Sequence, residues 1–164
     1  MGSTKFRTVP LRDVLAKGMA PDTTPFRPIA LVVDDEKVIA DTLVAILNSF
    51  GFAATAAYDG QSALEQAGLV PPAVVITDVV MQGMSGIELA IALKKVLPEC
   101  RTILFSGQAA TVDLLAEARM CGHDFSVLTK PIHPSDLLVH VSNLGILANK
   151  AGFQSGGTEG GYAE

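Results

Sequence analysis

The sequence predicts an α/β fold: a doubly wound sheet of five parallel strands in a (βα)5 arrangement. Five short apolar runs alternate with five segments of helical period. The links between them are short, and parallel strands joined this way need helical crossovers on both faces of the sheet. The chain of 164 residues is 49% hydrophobic, with a mean hydropathy of +0.39. That is ample material for one buried core.

The first strand, Ile29–Val33, is a continuous apolar run suited to burial on both faces. Residues 36–50 follow with Val38, Ile39, Leu43, Ile46 and Leu47 on a helical period, and Gly51 stands where a C-terminal cap belongs. Ala53–Ala57 is a weaker strand, and Gly60–Leu69 a short helix ended by Pro71 and Pro72. Residues 73–77 form the third strand, ending at Asp78, and residues 85–97 the third helix, stopped before Pro98. Residues 102–105 make the fourth strand, ending at Ser106; Thr111–Met120 is the fourth helix, closed by Gly122. Residues 125–129 make the fifth strand, ending at Lys130 and Pro131, and residues 134–147 the last helix, with Pro134 or Ser135 near its start.

This places the folded domain at residues 28–148. Residues 1–27, with Pro10, Pro21 and Pro25, read as an N-terminal extension in which LRDVLAKGM is the one stretch suited to a short helix. Residues 149–164 read as a Gly-rich tail or linker. A net charge of -5 and a pI near 5.1 argue against a nucleic-acid-binding surface. No run approaches the roughly 18 apolar residues of a membrane span. Cys100 and Cys121 lack CxxC or histidine-rich company, which argues against zinc or a disulfide framework. Without a secretory apolar region, the expected location is cytoplasmic.

In doubly wound sheets the ligand crevice lies at the carboxyl ends of the strands. Here those ends carry Asp34 and Asp35, then Asp78, Ser106 and Lys130. Singly, each has an ordinary explanation: Asp35 as a helix cap, Asp78 as a turn residue, Ser106 as a loop residue, Lys130 as a solvated cation. All five at one edge make coincidence the poorer reading. Carboxylates about 4 Å apart repel by roughly 4 kcal/mol at an effective dielectric of 20, so the cluster calls for a cation. Oxygen ligands favour a hard divalent ion, Mg²⁺ above zinc. Such an ion also prepares a site for phosphoryl oxygens, to which Ser106 can donate and which Lys130 can offset in charge. One carboxylate then remains as nucleophile for acyl-phosphate chemistry.

VVDDE, ITDVVMQGMSG, LFSG and TKP, in that order on alternating elements, closely resemble the receiver domain of two-component response regulators. The resemblance covers about residues 29–147. It implies a flavodoxin-like sheet with strand order 2-1-3-4-5. It implies that Asp78 is the phosphorylated aspartate and that Mg²⁺ is held by Asp34, Asp35, Asp78 and the backbone carbonyl of Val80. Asp34 would act mostly through water. Ser106, Gly107 and Lys130 would face the phosphoryl group, with a cis peptide between Lys130 and Pro131. The implied partners are a histidine kinase or phosphotransfer protein, an unidentified downstream protein, and a second copy through the face of the fourth helix, fifth strand and last helix. The domain would be no enzyme beyond self-phosphotransfer and slow autodephosphorylation.

Three positions depart from the family pattern. Gln82 follows Met81 where the family usually has proline, leaving that loop less restrained. Val80 is apolar where many relatives are polar, and with Gln108 it flanks the path of attacking water. Val127 stands where the family's switch aromatic lies, three residues before Lys130; Phe125 has the same facing at another depth. An altered readout on that face is therefore expected. His133 is given no role.

A haloacid-dehalogenase-type phosphatase uses similar groups, but opens on a DxD and places its acidic pair last. Neither GxGxxG nor GxxxxGK[ST] is present. The remaining alternatives are an unphosphorylated receiver-fold scaffold, or a fragment of a larger regulator or hybrid kinase.

Overall fold

Five short strands line up side by side in the computed structural model, which describes residues 26–107 and 111–146. They are β1 (Ile29–Val33), β2 (Ala53–Ala57), β3 (Val74–Asp78), β4 (Arg101–Ser106) and β5 (Ser126–Thr129). The helices are α1 (Lys37–Ser49), α2 (Gly60–Leu69), α3 (Gly86–Val96), α4 (Thr111–Met120) and α5 (Pro134–Asn143). All strand pairs are parallel and the order is β2-β1-β3-β4-β5. The expected fold and strand order are both present. The expectations for Gln108 and for the two chain ends lie outside the described residues, apart from Phe26 and Arg27.

Side chains alternate across each strand and so build two cores. Ala30, Val32, Val74, Ile76, Ile103, Phe105 and Leu128 pack with Leu43 and Leu47 of α1 and Leu137 and Val141 of α5. The intervening residues Leu31, Val33 and Val75 pack with Ala63 and Ala67 of α2 and Leu89 and Leu93 of α3. Leu104 meets Ile87 and Ala90 of α3 and Ala118 of α4. Each fully buried Leu or Val is worth roughly 1.5–3 kcal/mol relative to exposure. The central strands are therefore held by burial on both faces.

Local signals set the helix ends. Gly51, at φ 90°, lets the amides of Gly51 and Phe52 reach back to the carbonyls of Asn48 and Leu47, and Phe52 packs against Leu47 in the core. Ser85 and Glu88 form a reciprocal capping box that starts α3. Pro134 is the first residue of α5, and its cap is His133, whose Nδ1 accepts from the Ser135 amide at 3.4 Å. Sequence inspection placed no structural duty on His133. Among the described residues no helix is long and apolar enough to cross a membrane.

The bounds of β3, β4 and β5 shift by a residue from the sequence expectation, and two of the shifts bear on the site. β3 and β4 each extend one residue further, taking in Asp78 and Ser106, because Asp78 pairs with Phe105 and Ser106 with Thr129. The polar side chains therefore hang from ladder residues rather than from loops.

Candidate functional site

Asp34 follows β1 directly and is only 1% exposed. Its amide donates to the Ala57 carbonyl at 3.2 Å, and its Oδ1 accepts from the Glu36 amide at 2.9 Å. The side chain thus folds onto the start of α1 and is fixed before any ligand arrives. Asp35 is exposed and does not cap α1; the cap position is Glu36, with no side-chain capping bond. The ordinary explanation for Asp35 is therefore absent.

Asp78 closes β3 half-buried. Its Oδ1 accepts from the Val79 amide at 2.9 Å, and Val79 also donates to the Phe105 carbonyl. Its own carbonyl accepts from the hydroxyl of buried Thr77 at 3.0 Å. Gly86 presses against the same carbonyl from the first turn of α3, so closely that a Cβ there would collide with it. Asp78 is gripped by its backbone, which leaves the carboxylate as the part presented outward.

Carboxylate oxygens of Asp34, Asp35 and Asp78 all lie within 4.8 Å of one another. Lys130 reaches across from the end of β5, with Nζ 2.8 Å from Oδ2 of Asp34 and 3.4 Å from Oδ1 of Asp78. The same ammonium sits 5.0 Å from the centre of the Phe105 ring, a cation–π contact. Burial pushes the Asp78 carboxyl above the ordinary aspartate value and the charge of Asp34 adds to this, while Lys130 and the Val79 amide act against it. Burial disfavours the charged lysine too, but the hydrogen bond to Asp34 and the charge of Asp78 outweigh it, and Lys130 is held above its ordinary value. One cation faces three carboxylates. An all-oxygen donor set this close, still short of positive charge, fits a small hard divalent ion that keeps some of its water.

Ser106 ends β4 and is 7% exposed; its carbonyl accepts from the Lys130 amide at 2.7 Å. Gly107 follows, and a Cβ there would come within 3.3 Å of the Lys130 side chain. Gly107 therefore makes room for Lys130. The Lys130–Pro131 peptide is cis. Val80 stands two residues past Asp78 and is 47% exposed. The sheet thus brings Asp34, Asp35, Asp78 and Lys130 together and joins Ser106 to Lys130 through backbone, Gln108 lying outside the described residues. Sequence inspection missed Thr77, Gly86 and Phe105. Of these only Gly86 had a signal, a glycine directly after the capping serine of a helix.

Phe125 and Val127 both pack on the cluster formed by Val79, Leu104 and Ala118, so they share a facing as alternation requires. Phe125 stacks on His123, with ring centres 6.0 Å apart and planes 7° from parallel.

Comparison with known proteins places this architecture. The chain is 31% identical over 118 residues to the response regulator receiver protein CpdR of Brucella abortus, covering 72% of this chain and 97% of that protein. It is 32% identical over 114 residues to the probable transcriptional regulatory protein TcrX of Mycobacterium tuberculosis, covering 70% of this chain but 48% of that protein, so it spans about half of that relative. The Vibrio cholerae chemotaxis protein CheY4 superposes with a TM-score of 0.65 at 25% identity, over 73% of this chain and 99% of that one. Residues 30–142 match the family model of the response regulator receiver domain. The chain belongs to that family, the receiver domains of two-component signalling.

Proposed function

We propose that the domain accepts a phosphoryl group on Asp78 from a phosphohistidine and that the resulting charge alters one protein-binding face. The observation that carries this is the shared ammonium of Lys130, which bridges Asp34 and Asp78 within a cluster of three carboxylates. Asp78 Oδ attacks phosphorus, the phosphorus–nitrogen bond breaks, and the imidazole nitrogen leaves with the electron pair. Lys130 offsets charge developing on the phosphoryl oxygens. Asp34, Asp35, Asp78 and the carbonyl of Val80 would hold Mg²⁺, which when bound supplies the remaining counter-charge. Ser106 would donate to a phosphoryl oxygen, and Gly107 lets the group approach.

The donor would be a histidine kinase or a phosphotransfer protein. Hydrolysis of the acyl phosphate resets the domain, with Val80 and Gln108 beside the water's path setting its rate. The output face is α4–β5–α5, through which a downstream protein or a second copy would bind. There Val127 replaces an aromatic, so the shift between two conformations runs through Phe125 and its neighbours.

Incubation with acetyl phosphate and Mg²⁺, followed by intact mass measurement, tests the reading. A phosphoryl adduct is expected in the wild type and absent from Asp78→Asn. No adduct in the wild type would favour an unphosphorylated binding scaffold instead.

A further inference from the structure

At the amino ends of the strands, opposite the carboxylates, lies a groove of ≈ 640 Å³ walled by Phe26, Pro72, Val96, Leu97, Leu144 and Ile146. Phe26 is 68% exposed and Val96 63%. Pro72 also lines a second, apolar hollow of ≈ 330 Å³, whose wall includes the exposed Leu69 and Val70. Scattered apolar residues on a surface are ordinary, but a concave set at one end of the molecule marks a docking surface.

The chain points to its own occupant. Arg27 Nη2 donates to the Asn48 carbonyl at 2.8 Å, and the Pro28 carbonyl accepts from the Ala53 amide at 2.9 Å. Residues 27 and 28 are thereby held, and Phe26, just before them, is part of the groove wall. Whatever precedes Phe26 starts at the groove. In LRDVLAKGM, residues 11–19, Leu11, Val14, Leu15 and Met19 follow the spacing of one helical stripe, with Asp13 and Lys17 off it. The linking residues 20–25 can span about 20 Å extended, enough to turn back along the groove. The net charges are opposite, with one charge of each sign, Glu99 and Arg101, on the groove wall itself. Residues 1–25 carry Lys5, Arg7, Arg12 and Lys17 against Asp13 and Asp22, a net of 4 − 2 = +2, which leaves −5 − 2 = −7 on the rest of the chain. The tail beyond residue 146 leaves from the same groove but is rich in glycine, which loses more entropy on ordering.

We propose that residues 11–19 dock in this groove as an amphipathic helix, within the same chain. The apolar stripe covers Phe26, Val96 and Leu144.

Cys100 lines the groove and serves as a native reporter; Cys121, exposed at the end of α4, is replaced by serine. Cysteine is placed singly at Leu11, Leu15 or Met19 in the full chain under mild oxidation. The expected result is an intramolecular disulfide to Cys100 from at least one site, lost when Val96→Asp is added. Without the added cysteine, Leu15→Asp should speed alkylation of Cys100 by about tenfold, the opening expected from losing one buried apolar side chain. A disulfide found only between chains would overturn the proposal in favour of a second copy. Protection of Cys100 that survives Leu15→Asp but falls on deleting residues 150–164 would assign the groove to the tail. No disulfide and no change in alkylation would leave residues 11–19 off the groove.

Discussion

The ammonium of Lys130 is shared between Asp34, at 2.8 Å, and Asp78, at 3.4 Å, so one cation ties the ends of β1, β3 and β5. Asp34 is buried and its other oxygen is already committed to the start of α1. Removing the lysine would leave that carboxylate uncompensated.

Lys130→Met is therefore expected to destabilise the metal-free protein by about 2–3 kcal/mol, below the roughly 3–5 kcal/mol of fully buried pairs because water reaches the ammonium. The same variant should bind Mg²⁺ more tightly than wild type, since the cluster gains a unit of negative charge. Urea melts with and without Mg²⁺ measure both effects.

The adjacent aspartates should separate in their roles. Asp34→Asn removes the partner of Lys130 and should cost about 2 kcal/mol in urea melts. Exposed Asp35→Asn should stay within about 0.5 kcal/mol of wild type while weakening Mg²⁺ binding. Equal stability losses in the two variants would contradict this division.

Two glycine-to-alanine changes should have opposite signs. Gly86→Ala drives a methyl into the Asp78 carbonyl, and backbone cannot yield as a side-chain end can. A loss above about 3 kcal/mol, or failure to accumulate folded, is expected. Gly68→Ala, at an exposed position of α2 with nothing within 4 Å, should stabilise by about 0.5–1 kcal/mol. Thermal melts compare the pair.

Asp59 caps α2, and hydrogen bonds from the Ser62 amide and hydroxyl hold its carboxyl below the ordinary aspartate value. A lowered folded value means the stabilisation is complete above the unfolded value of 3.8 and is lost as pH falls through the folded one. Asp59→Ala should lower Tm by roughly 2–6 °C at pH 7, and the gap should narrow below about pH 3.8. Asp59→Asn keeps an oxygen acceptor and should lose that pH dependence.

The five strands and the convergence at their carboxyl ends were legible because apolar runs and proline or glycine breaks are local signals. The strand order was not; it came with the resemblance to a family. The ends of β3 and β4 were set one residue short, since Asp78 and Ser106 look like loop residues until their ladder partners are known. Asp34 and Asp35 are chemically identical on paper. Only the burial of one, and the reach of a lysine 96 positions away, distinguishes them. Phe105 beneath that lysine and Gly86 against the Asp78 carbonyl are contacts between elements, which no periodicity encodes.

The Lys130 amide donates to the Ser106 carbonyl, and the next rung pairs Ser106 with Thr129. The backbones of the two proposed phosphoryl contacts are thus one stitched piece, and neither can drift without dragging the other. A signal starting at Asp78 would have little freedom to pry β4 from β5. What is left to move is side-chain torsion, and the lysine must first give up its contacts with Asp34 and Asp78. The switch proposed above would then work like a latch in a rigid frame rather than a bending of the frame.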